Sequence, residues 1–345
     1  MTSKHVALGA IAAILTCGAM AGSSAAQTDK PWYKQPWEAA RVQPCDRACL
    51  AGFMDSYLHA LESKDKSGLA LAEEVWVTED SARIGLGEGI LWRAAIMPTA
   101  FKVVVADPAS GQVAAQAVLD VEGKPAMVAI RLRVERRMIT EVEQLLDRNV
   151  APEAVELLTT PRPALLNDVP AKQRNSRDYL IYAANAYFDA LTGEDGHIAP
   201  FADDCVRHEQ GYQTVNNKTP GRAMPAPAIP DPSTPFGKTM ADLSIMTCAQ
   251  QIDTKIFTGI KRIWPRRVVV DEQKGLVAVF PLFVHDGTRR PVEGQPAQTG
   301  LGMVINLVTM ETIAVRGGQI HEVEAFPFVT LPYGFGDGWT PAKAR

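Results

Sequence analysis

The chain of 345 residues has no long apolar run beyond its first 26 residues, and no later stretch approaches the roughly 18 residues needed to cross a bilayer. It also has no dominant charge. Lys and Arg number 35 against 39 Asp and Glu, without a long block of either sign, so a nucleic-acid partner held through phosphates is not expected. The six histidines form no His-x-x-x-His pair and the cysteines no Cys-x-x-Cys pair, so no metal is expected. No Gly-x-Ser-x-Gly elbow marks a Ser-His-Asp hydrolase. Gly85-Leu86-Gly87-Glu88-Gly89 lacks the Lys and the glycine spacing of a phosphate loop and reads as a strand turn. What these absences leave is chemistry without a cofactor on a small or neutral partner. An apolar content of 46% excludes disorder as the main state, and the length allows two domains with ordinary cores.

The N-terminus reads as an export address. Lys4 supplies a positive n-region, Val6 to Met20 an apolar h-region, and Ser24-Ala25-Ala26 the small residues before a cleavage site, so residues 1–26 form a signal peptide. A membrane anchor is excluded by the short apolar run and the missing stop-transfer charges, and lipidation at Cys17 is disfavoured by Thr16 just before it. The expected location is periplasmic or secreted, with no membrane contact after cleavage. In an oxidising compartment Cys45, Cys49, Cys205 and Cys248 are expected to pair. Of three connectivities, spacing favours Cys45–Cys49, four residues apart at the start of a helical pattern, with Cys205–Cys248 across a proline-rich excursion.

The chain echoes itself. At a gapless offset of 130, Tyr57 meets Tyr187, Ala60 Ala190, Leu61 Leu191, Asp65 Asp195, Ala72 Ala202 and Glu79 Glu209. A second echo, Ile139 to Glu143 against Ile320 to Glu324, lies at an offset of 181, so the second copy has gained 51 residues. Most of the gain is assigned to 214–244, where Pro220, Pro225, Pro227, Pro230, Pro232 and Pro235 argue against any regular element.

Each copy reads as helix first, strands later. Phe53, Met54, Tyr57, Leu58 and Leu61 share one helical face, as do Leu180, Ala183, Ala184, Tyr187, Phe188 and Leu191. β-rich runs at 101–106, 113–121, 126–134 and 138–146 form an antiparallel meander, matched by 266–270, 276–284, 302–315 and 319–326. The resulting organisation is a first domain at 42–150, a linker at 151–173, a second domain at 174–330 carrying the insertion, and a tail at 331–345. An α+β cone, a helix packed inside a curved antiparallel sheet, fits each half.

Tyr57 to Glu79, and more so Tyr187 to Glu209, resembles the opening of NTF2-like, SnoaL-type and ketosteroid-isomerase-like domains, with Tyr, Ala-Leu, a helix-breaking Asp and, in the second copy, Ala202-Asp203-Asp204 turning into a strand. The closing Gly-x-Ile-x-Glu-Val-Glu strand, the run Cys45 to Leu50, Thr78-Glu79-Asp80, Arg131 to Val134 and the tail Pro332 to Trp339 extend the likeness to an uncharacterised group of secreted tandem SnoaL-like proteins. The resemblance implies two tandem NTF2-like cones. It places a proton-transferring carboxylate at Glu209 and, through the repeat, at Glu79, with Glu where the isomerases have Asp. No counterpart of their second acid and Tyr is evident. It leaves the activity open, because this superfamily spans isomerases, lyases, hydrolases and pure binding modules.

Physical chemistry supports Glu209 independently, since a carboxylate in an apolar cone loses hydration and gains basicity. Arg207 shares its side of the strand by alternation, so a buried Arg207–Glu209 pair holding sheet to helix is the competing role. Glu79 is either a second base or a hydrogen-bonded relic, and His208 points the opposite way from Glu209. Tyr212, Gln251, Asp253 and His321 are candidate neighbours, and Glu324 lines the pocket or lies on the sheet surface, beside Glu322 and Ile320 on one side by alternation. Trp92 and Trp264 floor an aromatic site or pack in the core. Two functions follow. One is a cofactor-independent lyase, isomerase or hydrolase acting on a hydrophobic, aromatic or polycyclic small molecule, with the proline-rich segment as a lid. The other is a non-catalytic module with its carboxylates paired off, which captures a ligand or forms a homo-oligomer through its sheet faces.

Overall fold

The computed structural model describes residues 44–219, 221, 231–291, 298–299 and 302–340. The signal segment 1–26 and, within the proline-rich stretch proposed as a lid, residues 220 and 222–230 lie outside the described residues.

Two long helices open the two halves at the same offset as the sequence echo: α1 (Arg47–Ser63) and α5 (Arg177–Gly193). Each starts where a short polar side chain caps it, Asp46 accepting from the Cys49 amide and Ser176 from the Tyr179 amide, and each ends at a left-handed residue, Lys64 or Glu194. The first half continues with β1 (Leu71–Glu79), β2 (Ala82–Ile84), α2 (Ile90–Arg93), β3 (Ile96–Asp107), β4 (Gln112–Val121), β5 (Lys124–Glu135) and β6 (Met138–Asp147). The connection 151–173 holds α3 (Pro152–Leu157), α4 (Pro163–Leu166) and a 3-10 turn (Ala171–Gln173). After α5 come β7 (Phe201–Glu209), β8 (Tyr212–Gln213), α6 (Pro235–Ser244), α7 (Cys248–Asp253), β9 (Ile260–Asp271) and β10 (Leu276–Asp286). The chain then forms β11 (Arg290–Pro291), β12 (Gln298–Thr299), β13 (Val304–Val308), β14 (Glu311–Arg316), β15 (Gln319–Ala325) and β16 (Val329–Pro332).

The molecule is α+β, with few helices on two curved, mostly antiparallel sheets. The first sheet runs β2-β1-β6-β5-β4-β3. The second repeats that order as β8-β7-β15-β14-β10-β9, with β13 continuing β14 along β10 and β16 added beside β13. In both, the first strand joins the last in parallel, β1 to β6 and β7 to β15. The offset grows from 130 at β7 to 164 at β9 and 181 at β15, so the added residues fall in two places: the β8–β9 connection and the β10–β14 connection.

Three apolar cores result. α1 packs on one face of the first sheet around Met54, Tyr57, Val77, Val128 and Ile130, and α5 packs on one face of the second around Tyr187, Phe188, Val277 and Ile313. The third core joins the remaining faces, with Phe101, Val105, Val118 and Leu145 against Val269, Phe280, Val308 and Phe326. Reciprocal ion pairs close this joint. Arg47 at the start of α1 meets Asp271 at the end of β9, 2.7 Å, and Arg177 at the start of α5 meets Asp107 at the end of β3, 2.8 Å. Each contact is the repeat image of the other, the arrangement of an isologous interface inside one chain. The sheet faces proposed for contact with another copy are therefore occupied by each other.

Both disulfides are formed as spacing suggested, Cys45–Cys49 and Cys205–Cys248. Three expectations differ from the structure. The insertion 214–244 contains a regular element, α6, because Pro235 sits in the first helical turn, where its missing amide costs nothing, and Thr234 caps it through the Gly237 amide. The linker 151–173 is not bare chain. Ala154, Leu158, Leu165 and Val169 are buried, and the first three belong to the third core. The tail beyond 330 is not separate either. β16 extends to Pro332, Asp337 pairs with Arg267, and the Trp339 indole donates to Thr78 at 3.1 Å.

Candidate functional site

The second half encloses an open cavity of about 830 Å³. α5 supplies Tyr187 and Leu191, β7 supplies Arg207 and Glu209, and the end of β10 supplies Phe283 and His285. Ile305 and Leu307 of β13 and Glu311 at the start of β14 close it from the sheet, while Ile256 and Phe257 come from the turn after α7. Asp147 and Glu153, from the first half and the linker, stand at the same cavity.

Alternation along β7 brings Arg207 and Glu209 to one face, and they form a buried ion pair. The other terminal nitrogen of Arg207 donates to Gln251 Oε1 at 2.8 Å, and Gln251 is itself fixed by donating to the carbonyls of Thr214, 2.7 Å, and Leu243, 3.1 Å. The guanidinium lies 4.8 Å from the centre of the Phe257 ring. Burial raises the Glu209 carboxyl above its usual range, with Arg207 pulling the other way.

Glu311 is the group that sequence reasoning missed. Burial pushes its pKa up to about 7 against the opposing field of Arg207, while Glu209 adds to the rise. Tyr187 moderates the rise, and Oε2 is buried with no hydrogen-bond partner. The signal was a lone acid inside the apolar run 304–315, which alternation aligns with Ile313 and Val315 on the α5 side. Tyr187 and Glu311 thus supply a tyrosine and second acid beside Glu209, although no sequence pattern pointed to that pair. His285, stacked on Phe283 at 6.2 Å, is held neutral by burial, its pKa lowered to about 4.

The other candidates are dispersed. Tyr212 lines the cavity, and Gln251 acts behind Arg207. Glu79 is buried in the first half, where its two oxygens accept the Ile90 and Leu91 amides, 2.6 and 3.1 Å, at the start of α2. Gly89 permits this approach: it has φ +84, and a Cβ there would lie 2.7 Å from the carboxylate. The Gly85–Gly89 run therefore leads from strand into helix rather than from strand to strand. Trp92, carried by α2, is buried edge-on to Tyr57, its indole donating to the Tyr57 oxygen at 3.1 Å.

Glu324 does not line the cavity. A register shift between Ile320 and Glu322 breaks the simple alternation, so Ile320 and Val323 enter the α5 core while Glu322 and Glu324 both pair with Arg162 of the linker. His208, opposite Glu209, is buried, and desolvation followed by Arg162 lowers its pKa to about 3. His321 is set against Asp204 at 2.5 Å outside the cavity, and Trp264 is 57% exposed and outside it too. Among the described residues, Asp195, His197 and Asp253 approach within 4.8 Å of one another as an exposed cluster, a grouping that brings Asp253 away from the Glu209 site.

A family model described as a domain of unknown function (DUF8021) matches residues 173–327. That span supplies most of the residues that line the cavity, from Tyr187 to Ala325. No curated protein matches the chain. Among solved structures, it is similar to a protein of unknown function with a cystatin-like fold from Methylobium petroleophilum PM1, at 12% identity and a TM-score of 0.28, over 50% of this chain and 97% of that one.

Proposed function

We propose that the protein is an exported, cofactor-independent lyase, isomerase or hydrolase that binds a hydrophobic small molecule in the second-half cavity and moves a proton there with a carboxylate. The observation that carries this reading is a buried carboxylate, Glu311, that lines about 830 Å³ of cavity beside a second carboxylate and a guanidinium and has one oxygen, Oε2, without a hydrogen-bond partner. With a pKa of about 7, Glu311 holds both protonation states near neutral pH, the condition for general acid–base work. Glu209, paired with Arg207, balances that charge and keeps the guanidinium in place rather than accepting the proton itself. The shared strand order of the two sheets supports tandem NTF2-like cones as the architecture, and two disulfides support an oxidising compartment.

A binding module without turnover is the second reading, favoured by the neutralised Arg207–Glu209 pair. A thermal-shift screen of aromatic and polycyclic compounds on the whole protein tests the site. Stabilisation should be abolished in Leu307→Trp, which fills the cavity, and compounds that stabilise the variant equally well would refute it. Conversion of a hit should fall by about 10²–10⁴ in Glu311→Gln with little change in affinity. Binding without conversion by the wild type decides for the module.

A further inference from the structure

Among the described lining residues, four carboxylates, Asp147, Glu153, Glu209 and Glu311, stand against one guanidinium, Arg207. That guanidinium is committed on three sides: to Glu209, to Gln251 Oε1 at 2.8 Å, and over the Phe257 ring at 4.8 Å. Its Nε has no partner, yet an anion reaching it would meet the fields of both Glu209 and Glu311, which act on the same guanidinium. Arg207 is shared between Glu209 and Glu311, so one guanidinium answers two buried carboxylates, and Asp147 and Glu153 stand toward the first half with no second cationic side chain among the described lining residues. Asp147 is held in place by the Asn149 amide at 2.8 Å and the Gln210 side chain at 2.9 Å.

The unsatisfied atoms agree with the charge census. Glu311, 4% exposed, presents a partnerless Oε2, and His285, 7% exposed, presents a partnerless Nδ1. A carboxylate offers only lone pairs, so Glu311 needs a donor. Phe283, Ile305 and Leu307 offer an apolar body their surface.

From this geometry we infer that the cavity takes a hydrophobic amine, its ammonium group donating to Glu311 and its apolar body against Phe283, Ile305 and Leu307. The inference rests on the reading of this cavity as a small-molecule site and names its ligand class. It assigns Glu311 a binding role that precedes any proton transfer, and it makes the first-half residue Asp147 part of the selection.

Tryptamine, tryptophol and indole-3-propionate share one ring system and differ in head group. Calorimetric titration of the whole disulfide-bonded protein at pH 8, where Glu311 is mostly ionised, should show tryptamine binding at least about tenfold tighter than indole-3-propionate. Glu311→Gln should reduce that ratio to about two or less, and Asp147→Asn should reduce it by a smaller factor. Asp147→Asn keeps the test decisive if Glu311→Gln does not fold by circular dichroism. Indole-3-propionate binding as tightly as tryptamine, or a preference unchanged in every folded variant, overturns the inference. Tryptophol binding as well as tryptamine also overturns it while leaving the cavity as a ligand site. Failure of all three to bind overturns both.

Discussion

The two halves share an architecture and differ in what fills it. The repeat offsets carry Tyr57 onto Tyr187, Val77 onto Arg207, Glu79 onto Glu209 and Ile130 onto Glu311. In the first half Val77 and Ile130 are fully buried in an apolar core, and the short β2–β3 connection folds α2 inward so that Trp92 occupies the interior and Glu79 caps the helix. In the second half the same positions hold a guanidinium and a carboxylate, and the longer β8–β9 connection brings Gln251 to Arg207 and places Phe257 at the rim of a cavity. Two apolar-to-charged differences and two longer connections, the second carrying β13 with Ile305 and Leu307, separate a closed core from an open polar site. A carboxylate at the repeated position is therefore not enough for function. Its partners decide whether it caps a helix or faces a ligand.

The largest expected effect comes from giving the second half the first half's residue. Arg207→Val leaves Glu209 and Glu311 buried without a counter-charge and should cost about 3–5 kcal/mol in denaturant unfolding. The triple variant Arg207→Val, Glu209→Gln, Glu311→Ile should recover most of that loss, since apolar replacement of a whole buried ionic cluster is neutral or stabilising. A triple variant no more stable than the single one would break the proposed equivalence of the two interiors.

The disulfides sharpen the same comparison. Cys205–Cys248 closes 43 residues and Cys45–Cys49 only four, so by chain entropy their removal should cost about 4 and about 2 kcal/mol. Paired Ser variants compared by melting check the order.

pH distinguishes the halves next. Burial raises the folded-state pKa of Glu311 from 4.5 to about 7, so the unfolded chain ionises first. Stability from the protonated group is complete below about pH 4.5 and is lost as pH rises to about 7, a fall of about 3 kcal/mol. Glu311→Gln should remove this fall and melt higher than wild type at pH 8. Asp80 in the first half, raised from 3.8 to about 7 mainly by burial, acts with the same sign. Asp80→Asn should remove its own share and leave the Glu311 component. The smallest effect is at the repeat carboxylate itself: Glu79→Gln weakens a helix cap by about 1–2 kcal/mol and should leave ligand binding in the second half unchanged, and a loss of binding there would show that the first half takes part.

The local parts were legible. Apolar positions at helical spacing located α1 and α5, and alternating runs between turn residues located the long strands, because these patterns are set by neighbours within one element. The Arg207–Glu209 pair was legible as one of two alternatives, since both residues lie on one strand face. Glu311 was not, because its basicity comes from burial in the folded interior and from Glu209, which outweigh Arg207 and Tyr187, and all of these neighbours are remote in sequence. Glu324 was misplaced because a bulge costs one residue of register and turns the side chains beyond it to the other face. The linker was underestimated because Arg162 gains its meaning only from Glu322 and Glu324 on a distant strand.

The sequence by itself determined the internal echo and the order of helix and strands and favoured one disulfide pairing of three, all of which depend on spacing along the chain. The tertiary structure decided that the outer sheet faces meet each other, that Glu79 caps α2, and that Glu311 rather than Glu209 presents the unpaired oxygen. The physical reason is that burial and ionic pairing are properties of three-dimensional neighbours: one carboxylate is quenched by a guanidinium, and another is left basic, according to what the fold sets beside it.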